Sequence, residues 1–552
     1  MKAKIFGFLA VGLATMALAS CSDYLDLTPT TKLTDKAVWS NADNATSVVN
    51  TFYENIYQLG QYNDEGQYLA GLTEALTDEF KYGSTNYNAR CYIPSESSYG
   101  GSTLTVNYVD VYYGKWGSLY YDIRLVNGAM SKMNEFGGSL DANVKTQLTA
   151  ELRFFRGMFY FELVKRYKDV ILYDEDMTKI VKDKAVSTEA ECWEFVYQDL
   201  KFAAENLAVS TVPNGRITSG AAYGLLSRAM LYAKRWSDAK AAAEKVIAMG
   251  YTMPTDLKAA WTDGGAEAIL QYSFSTNGVY HSFDNMYAPL GDKALDGDDQ
   301  TPGQGTPTQE MVESFELKTG GLPDWTPWHT TAGTTETPPY AQLEPRFANT
   351  ILKNGDTWKG RKIQTYSGGT DQACTWMDDP IPDGRTVTGY YLRKLVNENH
   401  SFKADTKCTA PWTAIRMAEI WLNYAEACYM TGDKTDAIKG LKAVRDRVGL
   451  PTDDTLQGDD LMAAIRHERK VELAYEGQYY WDMRRWGLAE TAFSNYRVHG
   501  MKVTHIDGDT YRYNYIECDK QDRHFPSKMY RFPMPTDEIS NNSQVTQYPE
   551  WN

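Results

Sequence analysis

The 552-residue chain has few of the residues from which metal sites and disulfide frameworks are built. Its seven histidines are scattered, and no two of its seven cysteines lie at a metal-ligand spacing. After residue 20, no hydrophobic run approaches the roughly 20 residues of a membrane-spanning helix. The sequence therefore predicts no metal, no cofactor and no transmembrane helix. Cys192 and Cys428 are predicted to be core residues. The sequence does not decide whether disulfides form among Cys91, Cys374, Cys408 and Cys518.

Catalytic motifs are also missing. There is no G-x-S-x-G nucleophile elbow, no phosphate loop, no dinucleotide glycine fingerprint and no zinc helix, since His467-Glu468 lacks the second histidine four residues later. Residues 296–299 and 507–509 resemble calcium loops but lack the closing glutamate, so we predict turns there. We predict a protein that is not an enzyme. A glycosidase stays open, because the many carboxylates could form a catalytic pair in space.

Positive charge is in the minority. The chain has 56 Lys and Arg against 72 Asp and Glu, a net charge of −16, and no basic cluster. Such a protein is a poor match for a polyanion, so nucleic acid is excluded as a partner. The hydrophobic content of 43% is enough for a sizeable core, in one large domain or two packed halves.

The chain begins with the pattern of a lipoprotein signal. Two lysines precede an apolar stretch from Ile5 to Leu18, and the segment Leu18–Cys21 has the order of a lipoprotein cleavage site. We predict a signal peptide over residues 1–20 and a mature chain in which Cys21 is acylated and attached to membrane lipid. The alternative is a soluble secreted protein in which Cys21 lies at this position by chance.

Apolar residues at helical spacing recur along the chain and predict a mainly α fold. The predicted helices are Trp116–Met130, Leu148–Tyr167, Glu191–Leu207, Ser219–Ala233, Ser237–Met249, Trp412–Met430, Thr435–Val448 and Asp459–Tyr475. Two pairs of them are joined by short links, and alanines at the crossing points allow the close packing of tetratricopeptide repeats. We predict repeat-like pairs within about 113–250 and 411–490. Ordinary helical hairpins are the alternative.

Two long stretches between the helices, about 61–113 and 278–403, are rich in Gly, Pro, Thr, Asn and aromatic residues. Loops of this length are usually functional or disordered, and their aromatic content argues against disorder. The whole chain has 39 Tyr and 14 Trp, side chains that suit half-wet surfaces where a flat ring contacts a ligand. We interpret the two stretches as ligand-binding insertions.

Several segments in order resemble the SusD/RagB lipoproteins. The most diagnostic is Ile465–Trp486, whose sequence IRHERKVELAYEGQYYWDMRRW is similar to the family pattern IRxERrxELafEGxRyWDlRRW. A second is Ala150–Tyr167, where Gly157 replaces the usual alanine. Further similar segments are Cys21–Pro29, Trp116–Asn127, Gly215–Ala222, Glu344–Phe347, Gly389–Lys394, Phe532–Ile539 and Gln547–Trp551. In Ile465–Trp486, charges of alternating sign at helical spacing predict a structural network of buried ion pairs.

This resemblance implies a SusD-like, mainly α fold with tetratricopeptide-like helix pairs, which we assign to a single domain over residues 21–552. It also implies a lipid-anchored protein on the outer surface of the outer membrane, which captures an oligosaccharide or polysaccharide and delivers it to a SusC-like TonB-dependent transporter. Peptide cargo for the same kind of transporter is the alternative, and a surface hydrolase is a third.

Members of the family usually hold glycan on exposed aromatic rings. A sugar has an apolar C–H face and a rim of hydroxyls, which match a flat ring with amide, carboxylate or guanidinium partners nearby. We favour Trp325 and Trp328, because prolines stiffen their loop and lower the ordering cost of binding. The other candidates are Tyr62, Tyr82, Tyr87, Tyr92, Tyr99, Tyr287 and Trp376, with the polar partners Asn86, Asn88, Arg90 and Asp324.

Overall fold

The computed structural model describes residues 33–59, 73–82, 104–211, 215–292, 303–375, 384–401, 407–519 and 522–552. These residues form mainly helices with a few short strands, which confirms the predicted mainly α class. Among them, no helix combines the length and apolar character that crossing a membrane requires. The predicted signal peptide and Cys21 lie outside the described residues.

The helices are numbered in chain order over the described residues. They are α1 Asp35–Trp39, α2 Ala42–Asn50, α3 Val106–Tyr112, α4 Trp116–Phe136, α5 Ala142–Tyr167, α6 Glu189–Asn206, α7 Ser219–Tyr232, α8 Trp236–Ile247, α9 Phe283–Tyr287, α10 Gln309–Glu313, α11 Pro345–Thr350, α12 Met417–Met430, α13 Lys434–Arg447, α14 Gly458–Glu472, α15 Tyr479–Arg485, α16 Ala489–Ala492 and α17 Thr536–Asn541.

The strands form five antiparallel pairs. They are β1 Phe80–Tyr82, β2 Ala268–Tyr272, β3 Gly305–Pro307, β4 Ile351–Leu352, β5 Thr357–Trp358, β6 Arg361–Lys362, β7 Tyr391–Leu392, β8 Trp412–Arg416, β9 His499–Asp507 and β10 Thr510–Glu517. The pairs are β1 with β3, β2 with β8, β4 with β7, β5 with β6, and β9 with β10.

The two helix pairs occur where the sequence predicts them. Helix α7 packs on α8, and α12 on α13. Gly440 shows how closely the second pair approaches, because a Cβ there would lie 2.8 Å from the Trp421 carbonyl oxygen. Although distant in sequence, the pairs are neighbours in space through a contact between α8 and α12. Helices α4 to α8 also pack each against the next, so the scaffold is a row of helices.

One predicted helix begins too early. The sequence predicts a helix over Trp412–Met430, but Trp412–Arg416 is the strand β8, which pairs with β2. The five residues of β8 are all buried, so both faces of the strand are covered and no alternation of polar and apolar residues marks it. Helical periodicity begins only at Met417, where α12 starts.

A buried arginine–glutamate network joins the row of helices to the loop-rich region, by which we mean residues 278–403. We define it as Arg346, Arg416, Arg445 and Arg447 with Glu267, Glu344, Glu468, Glu472 and Glu476. Arg416 alone donates to three carboxylates, at 2.8 Å to Glu267, 2.7 Å to Glu472 and 2.6 Å to Glu476. Glu468, Glu472 and Glu476 of the 465–486 segment are thus structural, with arginine partners from other parts of the chain. Within the segment, Asp482 pairs with Arg469 and Arg485.

Candidate ligand-binding site

Many of the predicted ligand-binding residues lie outside the described part of the chain. These are Tyr62, Tyr87, Tyr92, Tyr99, Trp376, Asn86, Asn88 and Arg90. Their role therefore stays a prediction. Tyr82, Tyr287, Trp325, Trp328 and Asp324 are described, and they fall into two separate places.

Tyr82 and Tyr287 form a buried pair. Their hydroxyl oxygens are 2.5 Å apart, and the ring of Phe80 packs against both. Tyr82 is on β1 and Tyr287 ends α9, so the pair fastens β1 to the loop-rich region. Because both side chains are buried, neither ring has an open face in this structure.

Trp325 and Trp328 are packed into the protein rather than exposed. Their ring centroids are 5.9 Å apart, and Tyr340 lies 6.0 Å from Trp325. The Trp328 indole N–H donates to the Glu336 carbonyl at 2.9 Å, so the loop folds back over its own tryptophans. Asp324 is exposed and accepts a hydrogen bond from the Thr326 amide at 3.0 Å, as part of a turn. The prolines of this loop stiffen it without exposing its rings.

An open cavity of about 360 Å³ lies beside a tryptophan that the sequence does not single out, Trp261. This size falls in the range of small-ligand sites, about 300–1,000 Å³. Trp261 ends the 3₁₀ turn Leu257–Trp261, and its half-buried ring is supported from one side by Trp412, with centroids 5.8 Å apart. Leu395, Val396 and Pro411 add apolar wall. We call this the Trp261 cavity.

The rim of the Trp261 cavity carries a charged triad. The Glu398 carboxylate accepts hydrogen bonds from Arg393 Nε at 2.6 Å and from Lys258 Nζ at 3.0 Å. Partial burial acts to raise the pKa of Glu398, but these two hydrogen bonds hold that pKa below its usual range. Glu398 is therefore an ionised acceptor held in place by two cations. The amides of Asn397 and Asn399 lie next to it.

The floor of the cavity is the buried network. Arg346, Arg416, Arg447 and Glu472 line it, and Lys394 lies 5.7 Å from the Trp261 ring centroid. Burial alone would raise the pKa of Glu472, but the surrounding arginines hold it well below the ordinary value. Three arginines and a glutamate whose pKa is lowered thus line the floor, which favours a polar ligand.

A second concavity, of about 480 Å³, shares Asp263 with the Trp261 cavity. Tyr53, Tyr251 and Tyr272 line it. The Tyr53 hydroxyl donates to Glu151 at 2.9 Å and the Tyr251 hydroxyl to the Ser210 carbonyl at 2.9 Å, so both are already engaged. We therefore take the Trp261 cavity as the candidate site.

Sequence reasoning missed two groups of residues. Trp261 follows a helix pair and lies outside both aromatic stretches. The only signal in the sequence is its position directly before the turn-forming residues Thr262-Asp263-Gly264-Gly265. The second group is Asp284, His400 and Cys408. Asp284 lies 116 residues before His400 in the sequence, and the fold brings it to the segment that carries His400 and Cys408. No spacing rule detects a cluster of this kind.

Two family models match the chain. One, described as the SusD family, matches residues 266–551. The other, described as starch-binding and associating with the outer membrane, matches residues 23–231. Together they cover both the helical scaffold and the loop-rich region.

Individual relatives agree with the family models. A SusD-like protein of Bacteroides ovatus is 23% identical over 498 residues, which cover 88% of this chain and 83% of the relative. A solved SusD-like protein of Bacteroides fragilis is 27% identical with a TM-score of 0.76, over 94% of this chain and 98% of its own. A laminarin-binding SusD-like protein is 20% identical with a TM-score of 0.61, over 92% of this chain and 98% of its own, and shows the same fold.

Proposed function

The chain belongs to the SusD family, and from that premise we propose that it captures an oligosaccharide or polysaccharide at the cell surface and delivers it to a SusC-like TonB-dependent transporter. The family description of starch binding at the outer membrane supports the carbohydrate class and the membrane. A relative that binds laminarin supports the same class. The proposed activity is binding without catalysis.

The proposal of a glycan ligand depends mainly on the Trp261 cavity. An indole face beside an apolar wall suits the C–H face of a sugar ring, and Glu398, Arg393 and Asn397 can bind its hydroxyls. Glu398 is already oriented by two cations, so the ligand does not have to order it.

The membrane attachment follows from Cys21. We propose that acyl chains on this residue hold the protein in the outer membrane, with the folded part facing outward. Replacement of Cys21 by Ala is expected to move the protein from the membrane fraction to the soluble fraction. Labelled palmitate incorporated by the unchanged chain but not by the variant would establish the linkage.

The test of ligand binding is retardation in native gels that contain plant, microbial or host polysaccharides. We expect one polysaccharide class to retard the protein without being shortened. Trp261→Ala is expected to weaken retardation by at least about tenfold in affinity, the loss of roughly 1.4 kcal/mol or more from one ring contact. Trp236→Ala is the matched control, because Trp236 is a half-buried tryptophan on α8 outside the cavity.

Other outcomes separate the alternatives. Equal retardation of Trp261→Ala and the unchanged chain would move the site away from this cavity to the predicted aromatic stretches. Binding of peptide mixtures with no retardation by any glycan would favour peptide cargo. Release of shorter chains from the polysaccharide would show a hydrolase.

The transporter partner needs a separate experiment. Affinity purification of the tagged protein from detergent-solubilised outer membranes is expected to bring down a TonB-dependent β-barrel transporter in stoichiometric amount. The Cys21→Ala variant controls for capture that depends only on a shared membrane. Recovery of no such transporter under conditions that preserve glycan binding would contradict this part of the proposal.

A further inference from the structure

Three potential metal ligands meet behind one wall of the Trp261 cavity. They are Asp284, His400 and Cys408, which we call the Asp–His–Cys cluster. Each offers one ligand atom, and the three atoms lie within 4.8 Å of one another. The Asp284 carboxylate oxygen Oδ2 is 2.9 Å from Nδ1 of His400. This contact is a hydrogen bond, and two ligands bound tetrahedrally at about 2.0–2.1 Å from one zinc ion lie about 3.3 Å apart, so the two atoms have to separate by only a few tenths of an ångström to hold a metal.

The fold holds each of these residues from a different element. Asp284 is on α9, and its second oxygen accepts the Asn397 backbone N–H at 2.9 Å. Cys408 forms an antiparallel bridge with His281, with backbone hydrogen bonds of 2.9 and 3.0 Å. The His400 carbonyl accepts from Lys359 Nζ at 2.7 Å. All three ligand positions are thus fixed by contacts that do not involve the ligand atoms themselves.

Burial distinguishes this cluster from an ordinary group of surface acids. Asp284 and Cys408 are fully buried, and the His400 side chain is 13% exposed. The Asp284 carboxylate is paired with His400 here, and a buried carboxylate, imidazole and thiol that meet at one point are groups that a hydrophobic core normally excludes unless they are paired or bind a metal. The small exposure of His400 provides a route by which an ion can enter.

We propose that the Asp–His–Cys cluster is a binding site for a transition-metal ion, with Zn²⁺ as the best match. Cysteine sulfur, imidazole nitrogen and carboxylate oxygen are the three ligand types of zinc, and three protein ligands leave a fourth position for water. Calcium and magnesium need more oxygen ligands than this cluster offers. Binding of the ion displaces the Cys408 thiol proton to solvent and moves the proton shared by His400 and Asp284 off the ligating ring nitrogen to the other ring nitrogen. The charges of thiolate and carboxylate then balance the metal.

The positive charge of Lys359 disfavours metal binding nearby, but an adjacent carboxylate offsets it. Lys359 interacts with the cluster through the His400 carbonyl, and its ammonium group also lies 3.0 Å from the Asp292 carboxylate. Asp292 therefore offsets the positive charge that would otherwise repel a metal ion. The hydrogen bond from Asn397 to Asp284 supports the carboxylate in the way that outer hydrogen bonds support metal ligands.

The position of the cluster gives the ion a structural consequence. Asn397 and Asn399, close to His400 in sequence, line the Trp261 cavity, and so do Thr409 and Ala410, which follow Cys408. A metal bound to His400 and Cys408 would fasten these two segments to α9. Because a ligand of the folded state stabilises it by mass action, Zn²⁺ is expected to raise the unfolding temperature.

The test is a titration of the purified, chelator-treated protein with Zn²⁺ alone, in competition with a chromogenic chelator. We expect one equivalent to bind and the unfolding temperature to rise. Cys408→Ser and His400→Gln are each expected to weaken binding by more than about 100-fold, since even the outer hydrogen bonds of metal ligands are worth 10- to 100-fold. Cys374→Ser, at another buried cysteine, is expected to bind as the unchanged chain does.

Cobalt substitution reads out the thiolate directly in the unchanged chain. Co²⁺ is expected to give a sulfur-to-metal charge-transfer band that Cys374→Ser retains and Cys408→Ser loses. If Cys408→Ser fails to fold, His400→Gln and the cobalt spectrum still decide. Absence of Zn²⁺ binding, absence of the thiolate band, or full binding by His400→Gln would overturn the proposal. Loss of the site without loss of glycan retardation would leave the proposed function intact.

Discussion

Two groups of buried acids lie close together in this protein and behave in opposite ways. Glu472 is surrounded by Arg346, Arg416 and Arg447, and these cations hold its pKa well below the ordinary value against the effect of burial. Glu79 is equally buried, but neither of its carboxylate oxygens has a hydrogen-bond partner among the described residues. Burial raises the pKa of Glu79 well above the ordinary value.

The difference shows that partners, and not depth, decide whether a buried acid is charged. Glu472 can be a charged residue in the floor of the Trp261 cavity only because arginines from three other segments pack around it. Glu79 has nearby acids instead, and Lys470, the closest compensating cation, is paired with Asp78 at 2.8 Å. The first group is an electrostatic frame of paired charges, whereas in the second Glu79 lacks a pairing cation within the part of the chain that the structure describes, and burial raises its pKa.

The largest expected effect comes from breaking the first group at Arg416. Arg416→Met leaves Glu267, Glu472 and Glu476 without their shared guanidinium. We expect a loss of about 5 kcal/mol in the free energy of unfolding, because removal of one partner leaves buried charges uncompensated. Urea denaturation followed by circular dichroism measures it. Arg416→Lys is expected to recover only part of the loss, since one ammonium cannot replace the planar fork of donors.

A loss below about 1 kcal/mol for Arg416→Met would contradict this account. It would mean that the three carboxylates protonate or rearrange at little cost. The network would then resemble the surroundings of Glu79, and the comparison would fail.

The second prediction removes the acid that has no partner. Glu79→Gln is expected to stabilise the protein at pH 8 by on the order of 2 kcal/mol and to have little effect at pH 5. The folded-state pKa is raised, so the favourable protonated state is fully present below the unfolded pKa and its contribution is lost as pH rises through the folded pKa. Thermal unfolding of both proteins from pH 5 to pH 8 gives the difference.

Glu74 provides the control for that experiment. It accepts the Gly477 amide at 2.7 Å, and although burial raises its pKa to about 7, this hydrogen bond limits the rise. Glu74→Gln is therefore expected to change stability over a narrower range, between about pH 4.5 and 7. A pH-independent effect of Glu79→Gln would show that Glu79 is ionised in the folded protein.

The helical part of the fold could be predicted from the sequence because it depends on local periodicity. Helices such as Ser219–Tyr232 and Lys434–Arg447 begin and end within one residue of the predicted bounds. The strand Trp412–Arg416 could not be predicted, because its only distinguishing feature is a partner, Ala268–Tyr272, from a distant part of the chain. Pattern alone does not separate a short buried strand from the start of a helix.

The candidate site was harder to predict for the same reason. The sequence shows how many aromatic rings the loops contain, but burial depends on what packs over each ring. Trp325 and Trp328 are covered by their own loop, whereas Trp261 borders a cavity whose walls come from several segments that meet only in the fold. The alternating charges of the 465–486 segment predicted a structural role for these residues. Their partners Arg346 and Arg416 could not be identified, because both come from other parts of the chain.

The third prediction concerns an acid of intermediate burial. Glu398→Gln is expected to lower the free energy of unfolding by less than about 1 kcal/mol, because its pairs with Arg393 and Lys258 are partly open to water. Its pKa is lowered in the folded state, so the contribution is present above the unfolded pKa and is lost as pH falls through the folded pKa. Denaturation at pH 7 and pH 3 measures this. A larger effect on glycan affinity than on stability would place Glu398 in the ligand site.

The smallest expected effect is that of an exposed pair with the same geometry as the network. Lys442 Nζ and Asp446 Oδ1 on α13 are 2.7 Å apart, the same distance as Arg416 to Glu472, but both side chains are more than half exposed. Water already solvates both charges and salt screens them, so Lys442→Ala is expected to leave the denaturation midpoint unchanged. A double-mutant cycle with Asp446→Ala, at low and high salt, measures the coupling. A coupling as large as that at Arg416 would mean that distance rather than desolvation sets these energies, and the contrast between Glu472 and Glu79 would then need another cause.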